Sequence, residues 1–436
     1  MVRKLPSNAR SWERSLTQQT GLHWKIGSVE HRSPGFIRLH NVKILDETNH
    51  NALFQARQID IQRITDTPRE KTFPGILTAA KPENTGLTQW IENSFPSLRT
   101  SNRFWQITVP RAVVDFKEYS GEDSALLVQN MLRKVFARLD SLAEVPVQLV
   151  LEQIAVRSEY SLKRGEEQID IFHSVQGNIY RTPTEIRSDW SFQIRGISDL
   201  DWEHRERLSF SLSLTDTFEV SFQSGRQPIP CDLAAVFCSQ FQHFSGGTFQ
   251  GRFSYSTRGG RADSRMFRLE QAIFRNMPLA PLARHCTTFA VEGTVTELRF
   301  AQAVVGAEDF YVEGSLYVEN GRVEQALFYR CIDRFQLEVR PSEILDSPPP
   351  MIPFTACAVY FRLQPGEIDF WADQRWGSAF MVYQLNEHTN VFTIYFPPHR
   401  RSVRFPELLS IFAPDNAPVV PVTPAMQSLM PLIPFQ

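Results

Sequence analysis

Histidine is the residue type in this sequence with the clearest capacity for metal chemistry, and four of the ten histidines fall in the first fifty residues. They are His23, His31, His40 and His50, at spacings of eight to ten residues. Neighbouring strands could bring some of them together, but structural zinc sites use more closely spaced ligand pairs. We therefore expect solvated or strand-edge histidines, and neither a metal site nor a cofactor.

The five cysteines are the next candidates for reactive side chains. They lack the C-x-x-C spacing of zinc and redox sites, and an odd, scattered set is poor support for a disulfide framework. His285 precedes Cys286, but nothing in this segment supplies the helix amino terminus or the cationic surroundings that a reactive thiolate needs. We expect buried or incidental thiols at Cys231, Cys238, Cys286, Cys331 and Cys357.

Three further patterns fall short of a catalytic site. Residues 246–251, GGTFQG, resemble a phosphate-binding loop but lack the Lys-Ser/Thr pair that contacts phosphate and metal, so a turn is expected. The sequence contains no G-x-S-x-G nucleophile motif. Asp369 and Asp373 could form a glycosidase-like carboxylate pair, but no other residue supports that interpretation. We predict that the protein is not an enzyme; a carbohydrate-active enzyme is an alternative that would require such a pair.

The most basic point of the chain is the cluster His399, Arg400, Arg401 and Arg404. The three arginines could contact acidic lipid head groups, and each charge near a membrane would contribute about 1 kcal/mol. A solvated loop is the alternative. Over the whole chain the net charge is −2, so the overall electric field gives no reason to expect a nucleic-acid partner.

Segment 20–64 consists of three apolar runs separated by turn residues, which indicates short antiparallel strands. The runs are Trp24, Ile26 and Val29; Phe36, Leu39, Val42 and Ile44; and Leu53, Phe54, Ile59 and Ile61. Between residues 147 and 222 apolar and polar residues alternate, for example from Leu208 to Leu214 with serines between. Such alternation predicts a sheet with one apolar and one polar face.

Two segments have helical periodicity instead. Over residues 122–142 the apolar residues recur at three and four residue steps, which predicts a helix that packs over an open part of the sheet. A second helix is expected over residues 232–244, capped by Asp232. The pair Asn320-Gly321 predicts a two-residue hairpin turn of type I′, because both central positions of that turn need positive φ.

Together these patterns predict a mainly β fold, an elongated, curled antiparallel sheet that forms a β-groove, with two or three packing helices. The expected divisions are a lead-in over 1–19, a β-groove region over 20–230, a second β module over 231–340, a terminal β segment over 341–412 and a Pro-rich tail over 413–436. No run approaches the roughly 20 apolar residues that cross a bilayer. Because an apolar signal-peptide core is also missing after the start, we expect neither anchor nor signal peptide in this sequence.

Two regions of the sequence resemble the AsmA-like family of bacterial envelope proteins. In residues 19–64, QTGLHWKIGSV precedes SPGFIRLHNVKILDE and NALFQARQIDI, similar to strands that family members place just after an amino-terminal membrane helix. In residues 244–330, the segments FSGGTFQGRFSYS, IFRNMPLAPLARH, EGTVTEL and YVEGSLYVENGRVEQALF are similar to the carboxy-terminal module of the family. On this resemblance, residues 231–340 are the AsmA-like module.

The resemblance implies a rolled sheet with an apolar inner groove, located in the cell envelope on the periplasmic face of the inner membrane. Large relatives are thought to act as bridges along which phospholipids move, or to influence outer-membrane assembly. This sequence departs from the family by lacking the anchor helix, since Met1 falls near where that helix would end. The expected partners are phospholipid or another acyl lipid, and the inner membrane if an anchor lies upstream.

The residues expected to line the groove are the apolar positions of the predicted strands. An apolar face left open to water costs roughly 25 cal/mol per Å², so the sheet must curl around that face or cover it. The alternative is a β-rich structural or protein-interaction module with a closed core and no lipid ligand, because alternation looks the same in both cases. The lipid-groove candidates are Trp24, Ile26, Phe36, Leu39, Val42, Ile44, Ile59, Ile61, Phe192, Ile194, Phe210 and Leu212.

Overall fold

The chain forms two compact units, Met1–Gln227 and Pro228–Gln436, which we call unit one and unit two. The computed structural model describes residues 8–45, 51–64, 104–116, 147–158, 170–181, 185–194, 206–213, 217–235, 238–258, 265–284, 287–306, 309–340, 349–371, 379–386, 389–395, 401–404 and 411. The predicted mainly β fold with antiparallel pairing and few helices is confirmed. The predicted helix over 122–142 lies outside the described residues.

Unit one has one described helix followed by ten strands. The elements are α1 (Ala9–Thr20), β1 (His23–Ser33), β2 (Phe36–Leu45), β3 (Ala52–Ile64), β4 (Phe104–Val109), β5 (Ala112–Phe116), β6 (Val147–Ser158), β7 (Asp170–Arg181), β8 (Glu185–Ile194), β9 (Glu206–Ser213) and β10 (Thr217–Gln223). Each strand pairs with its neighbour in that order, and β4 and β5 share the place between β3 and β6. All described strands of unit one therefore belong to a single sheet.

Strands β4 and β5 are two parts of one interrupted strand. Both pair with β3 in the same register, since Asp60 faces Thr108 and Phe54 faces Val114. The interruption falls at Pro110, which has no backbone N–H to donate to a neighbouring strand. On the other side, β6 runs parallel to both parts. This parallel pairing is a local departure from the antiparallel pattern: β6 starts at the same end of the strands as β4, so the chain returns to that end between β5 and β6.

In each of the first three strands the regular alternation of inward and outward residues shifts by one position, and these shifts lie side by side in the sheet. Ile26 lies opposite Val42, whereas the half-buried Val29 lies opposite Leu39. The inward positions therefore change from even to odd numbers along β1, and from odd to even numbers along β2, without a change in register. Asn41 sits at the change with φ +51, a left-handed conformation that asparagine tolerates better than most residues. The switch keeps the apolar side chains on one side of the sheet although their alternation is broken in the sequence.

Helix α1 covers part of the outer edge of β1. Its first turn is capped by Asn8, whose Oδ1 accepts a hydrogen bond of 2.8 Å from the Ser11 N–H. The backbone N–H of Ile26 donates to the Glu13 carboxylate at 2.7 Å, and the Trp24 N–H donates to Thr17 Oγ1 at 3.4 Å. These side chains satisfy strand-edge donors that would otherwise be open to another chain.

Unit two also consists mainly of strands. Its elements are β11 (Ile229–Pro230), α2 (Cys231–Ala234), a 3-10 helix (Ser239–Phe244), β12 (Thr248–Arg258), β13 (Met266–Arg275), β14 (Met277–Pro278), α3 (Leu279–Ala283), β15 (Val291–Gly306), β16 (Phe310–Glu324), α4 (Gln325–Phe335), β17 (Glu338–Arg340), β18 (Met351–Gln364), β19 (Glu367–Trp371), β20 (Ala379–Asn386), β21 (Thr389–Tyr395) and β22 (Arg401–Arg404). The spatial order runs β12, β13, β15, β16, β18; β19 and β20 both pair with β18, β22 pairs with β19, and β21 lies between β20 and β17. Because β18 pairs with β16 along most of its length, unit two is not divided at residue 340.

A cluster of phenylalanines forms the core of unit two. Phe241, in the 3-10 helix, has its ring centroid 4.8 Å from Phe249, 4.7 Å from Phe253 and 5.7 Å from Phe274. All four rings are fully buried. The helix expected over residues 232–244 is instead α2 followed by the separate 3-10 helix. Asp232 lies inside α2 and Pro230 occupies the capping position, so the predicted cap was wrong.

The hairpin expected at Asn320-Gly321 was also wrong. Both residues lie within β16, which continues through them between β15 and β18. Asn320 does have positive φ, +49, but it forms an irregularity within a strand rather than a turn. Gly321 lies under the Phe354 ring, and an added Cβ would come within 2.1 Å of the ring carbon Cζ. In this protein, the glycine of the Asn-Gly pair allows the Phe354 ring to pack directly against the strand backbone.

The first prediction concerns the edge of β1. Replacing Glu13 by Ala removes the acceptor for the Ile26 N–H, and we expect a loss of about 1 kcal/mol in the free energy of unfolding, measured by urea denaturation. Glu13→Gln keeps an acceptor oxygen and should lose less. Arg14→Ala, at an exposed position of the same helix, is the control for effects on helix stability. Equal losses for Glu13→Ala and Arg14→Ala would contradict the edge contact.

The second prediction concerns Gly321. Gly321→Ala should lower the free energy of unfolding by about 2 kcal/mol, because the methyl group overpacks against a buried ring. Gly306→Ala is the matched control in the same unit, since a Cβ there would meet its nearest atoms at ordinary contact distances of 3.5 to 3.6 Å. Chemical denaturation of both variants tests this, and unchanged stability of Gly321→Ala would contradict the close packing of Gly321 against the Phe354 ring.

Candidate functional site

The strongest candidate site is the buried side of the sheet in unit one, which we call the apolar face. Nine of the twelve lipid-groove candidates are at most 9% exposed and lie on it: Ile26, Leu39, Val42, Ile44, Ile59, Phe192, Ile194, Phe210 and Leu212. Cross-strand pairing brings them together, since Ile26 faces Val42 and Phe172 faces Ile194. The Phe192 ring packs edge-on against Phe172 at 5.1 Å and lies 6.4 Å from Phe222, two strands away.

The other three candidates are half-buried, and one of them was placed on the wrong face. Trp24 is held by a hydrogen bond of 2.9 Å from its Nε1 to Thr20 Oγ1 of α1. Ile61 is on the apolar face opposite Ile37. Phe36 lies on the opposite, polar face, where its ring centroid is 5.9 Å from the Arg38 guanidinium. Ile37, which is 1% exposed, takes the inward position that was assigned to Phe36.

The polar face beside Phe36 carries an ion pair. The Arg38 guanidinium donates to both carboxylate oxygens of Asp60, at 2.6 and 2.7 Å, and Gln58 Nε2 donates to the same carboxylate at 2.9 Å. The Arg38 hydrogen bond is the main cause that lowers the pKa of Asp60 below its usual value. Arg38 and Asp60 face each other across β2 and β3, so the pair stabilises the register of these strands.

Polar side chains interrupt the apolar face near its other end. On β8 the inward positions alternate from Ile186 to Ile194 and include Ser188 and Trp190. Ser188 is 1% exposed, and both its Oγ and the Trp190 Nε1 are buried without a hydrogen-bond partner within the described structure. Glu206 of β9 is fully buried on the same face, opposite Phe192. These three residues were not identified from the sequence as part of the site. A serine at an inward position of a regularly alternating strand could have indicated a polar group on the apolar face.

The Trp190 ring is fixed by the neighbouring strand β7. It lies over Gly177, where an added Cβ would come within 2.4 Å of the ring carbon Cε3. Gly177 and Trp190 are directly opposite each other in the register of β7 and β8. Leu208 faces Trp190 from the other side, on β9. The indole is thus positioned between a glycine and a leucine, with its N–H buried.

Unit two carries a separate network around Glu313. Its carboxylate accepts hydrogen bonds from the Tyr311 hydroxyl, from the Tyr360 hydroxyl at 2.6 Å and from Arg362 Nη2 at 3.4 Å. The Arg362 guanidinium lies 5.6 Å from the centre of the Trp371 ring, and that ring packs on Tyr360 at 4.4 Å. Strand register places these residues side by side, because Glu313 faces Arg362 and Tyr360 faces Trp371.

Hydrogen bonding sets the protonation states of this network. The Tyr311 hydroxyl, followed by the Tyr360 hydroxyl, lowers the pKa of Glu313 below its usual value. Burial, together with the hydrogen bond to Glu313, raises the pKa of Tyr360 to about 12. At neutral pH the network is a carboxylate with neutral tyrosine donors and an arginine. A carboxylate with three donors and a lowered pKa is poorly suited to act as a general base, so we assign the network a structural role.

The metal and thiol candidates lead to no site in the described part of the chain. His40 Nε2 lies 3.3 Å from the Glu30 carboxylate, but among the described residues no group of three or more His, Cys, Asp or Glu side chains could hold a metal ion. Burial raises the pKa of the Cys331 and Cys357 thiols to about 12. Cys286, His285, His50 and Asp373 lie outside the described residues.

The basic cluster is partly described. Arg401 and Arg404 lie on strand β22 rather than in the loop that was the alternative, and Arg404 is exposed and faces Glu367 of β19. Arg400 lies outside the described residues. Contact of these arginines with lipid head groups stays a prediction.

No helix in the described ranges is both long enough and apolar enough to cross a membrane. Comparisons of this chain with protein-family models, with curated proteins and with solved structures found no match.

A third prediction follows from the Glu313 network. The carboxylate form is favoured in the folded protein, so its contribution is fully present above the unfolded pKa of about 4.5 and is lost as the pH falls through the lower folded value. Glu313→Gln should cost about 1 kcal/mol of unfolding free energy at pH 7, and the difference from the unmodified protein should shrink between pH 5 and pH 3, by urea denaturation.

Glu270→Gln is the matched control in the same unit. Glu270 forms an exposed ion pair with Arg252 at 3.4 Å, and both side chains are 54% exposed. Exposed pairs of this kind contribute about 0 to 1 kcal/mol, so the control should change stability little. A Glu313→Gln difference that stays constant across this pH range would contradict the network.

Proposed function

We propose that the protein is a non-enzymatic lipid-binding protein that holds or conducts an acyl lipid along the apolar face of unit one. The observation that carries this proposal is the combination of a single sheet with one strongly apolar side. All described strands of unit one belong to that sheet, so no second sheet among the described strands of this unit accounts for the burial of its apolar side chains. Each CH₂ group of an acyl chain buried against such a face contributes about 0.8 kcal/mol.

The cell envelope is the proposed location, on the periplasmic side of the inner membrane. The support for this location is the resemblance of residues 19–64 and 244–330 to AsmA-like proteins. Phospholipid is the proposed cargo, either for transport or in support of outer-membrane assembly. No cofactor is required for this function, because binding and release of an acyl chain involve no covalent step.

A closed structural or protein-interaction module is the second candidate. The observation that favours it is the low exposure of the nine buried groove candidates, among them Val42 at 0% and Leu39 at 1%. If the interior is filled by its own side chains, the apolar face is an ordinary core. Lipid binding on this face then requires the sheet to open, whereas the closed module requires no ligand.

The fourth prediction separates these two functions. A photo-reactive benzoyl-phenylalanine at Ile61, half-buried on the apolar face, should form covalent adducts with cellular lipid, detected by mass spectrometry after irradiation. The same residue at Gln62, exposed on the polar face one position further along β3, is the control and should form none. An organic extract of the purified, unmodified protein should contain phospholipid in a fixed ratio to protein.

Two results would overturn the lipid-binding function. One is a lipid-free extract together with no adduct at Ile61. The other is equal labelling at Ile61 and Gln62, which would indicate adventitious lipid on the surface. Either result favours the closed module.

A further inference from the structure

Two hydrogen-bond donors on the apolar face have no acceptor in the part of the chain that the structure describes. The Ser188 hydroxyl and the Trp190 indole N–H are both buried, and neither has a hydrogen-bond partner within the described structure. A buried donor without an acceptor is destabilising by about 1 to 3 kcal/mol. Native proteins leave few such groups, so each one requires a physical explanation.

The two donors are close together and point to the same side of the sheet. They are two positions apart on β8, which places their Cα atoms about 6 to 7 Å from each other. Their cross-strand neighbours are apolar, since Phe210 faces Ser188 and Leu208 faces Trp190. The contact with Gly177 fixes the indole. This arrangement is a pair of donors set into an apolar wall.

The chemistry of the donors selects the group that would satisfy them. An indole N–H only donates, and a serine hydroxyl can donate, so the complementary group is an acceptor oxygen. Their neighbours Gly177, Leu208 and Phe210 carry no charge, and a charged ligand group buried without a partner ion costs several kcal/mol. A neutral acceptor fits best.

We infer that Ser188 and Trp190 form a subsite for the ester carbonyl oxygen of an acyl lipid. The inference rests on the proposed function and adds the ligand class, because it separates acyl esters from free fatty acids and hydrocarbons. The acyl chain extends over the apolar face while its carbonyl accepts hydrogen bonds from β8. Phospholipids and neutral glycerides share this ester group.

The test compares an ester with the matching ether. Dihexanoyl-phosphocholine and dihexyl-ether phosphocholine, each below its critical micelle concentration, are titrated into the full chain by calorimetry. The unmodified protein should bind the ester about tenfold more tightly, which corresponds to about 1.4 kcal/mol. Ser188→Ala and Trp190→Phe should bind both ligands with the affinity of the ether. Ser209→Ala, on the polar face of β9, is the control and should keep the preference for the ester.

The outcomes distinguish this inference from the proposed function. Binding of neither ligand overturns both, whereas equal binding of ester and ether by the unmodified protein overturns only the subsite. Ether binding by the variants shows that they are folded, and retention of the ester preference in both variants also overturns the subsite.

A parallel titration with dihexanoyl-glycerol identifies the source of the ester: binding equal to the phospholipid indicates recognition without a head group, and weaker binding indicates a phospholipid site.

Discussion

Burial of one apolar face of a single sheet is the constraint on which unit one depends. The strands β1 to β10 bury apolar residues on the same side of the sheet, with exceptions such as Phe36, and side chains such as Val42 and Phe222 have no exposed surface. Local features of the chain serve this requirement. The left-handed conformation of Asn41 lies where the buried positions of β2 change from odd to even numbers, so the face remains continuous where simple alternation would break it.

The polar groups on that face are notable because the face has to be buried. A serine hydroxyl and an indole N–H placed among leucine and phenylalanine lower the stability of a closed core unless an acceptor reaches them. Such a loss of folding stability is expected at functional positions, where a polar group is placed to bind a ligand rather than to stabilise the core. In unit two the Glu313 carboxylate accepts hydrogen bonds from Tyr311, Tyr360 and Arg362, although the buried Arg362 Nε has no partner within the described structure.

Much of the fold could be predicted from the sequence, and the failures have identifiable causes. Strand content and the inward positions of β9 followed from alternation with period two, since Leu208, Phe210 and Leu212 are all buried. Phe36 was misplaced because residues with positive φ shift the alternation, and hydropathy alone does not reveal them. Asn320-Gly321 was taken for a turn because positive φ is common to hairpin turns and strand irregularities. The sequence could not reveal that Ser188 and Trp190 lack hydrogen-bond acceptors, because this depends on which side chains surround them in the folded protein.

The parallel pairing of β6 has a consequence for how the chain folds. Strands β4 and β5 can pair with β3 as soon as they are synthesised. Their other edge stays unpaired until residues 117–146 and strand β6 have also been synthesised. Closing that long connection carries an entropic cost before any contact compensates it, and non-local parallel pairing is slow. The nascent β1–β5 segment therefore presents an unpaired edge beside a half-covered apolar surface, an intermediate that calls for chaperone protection.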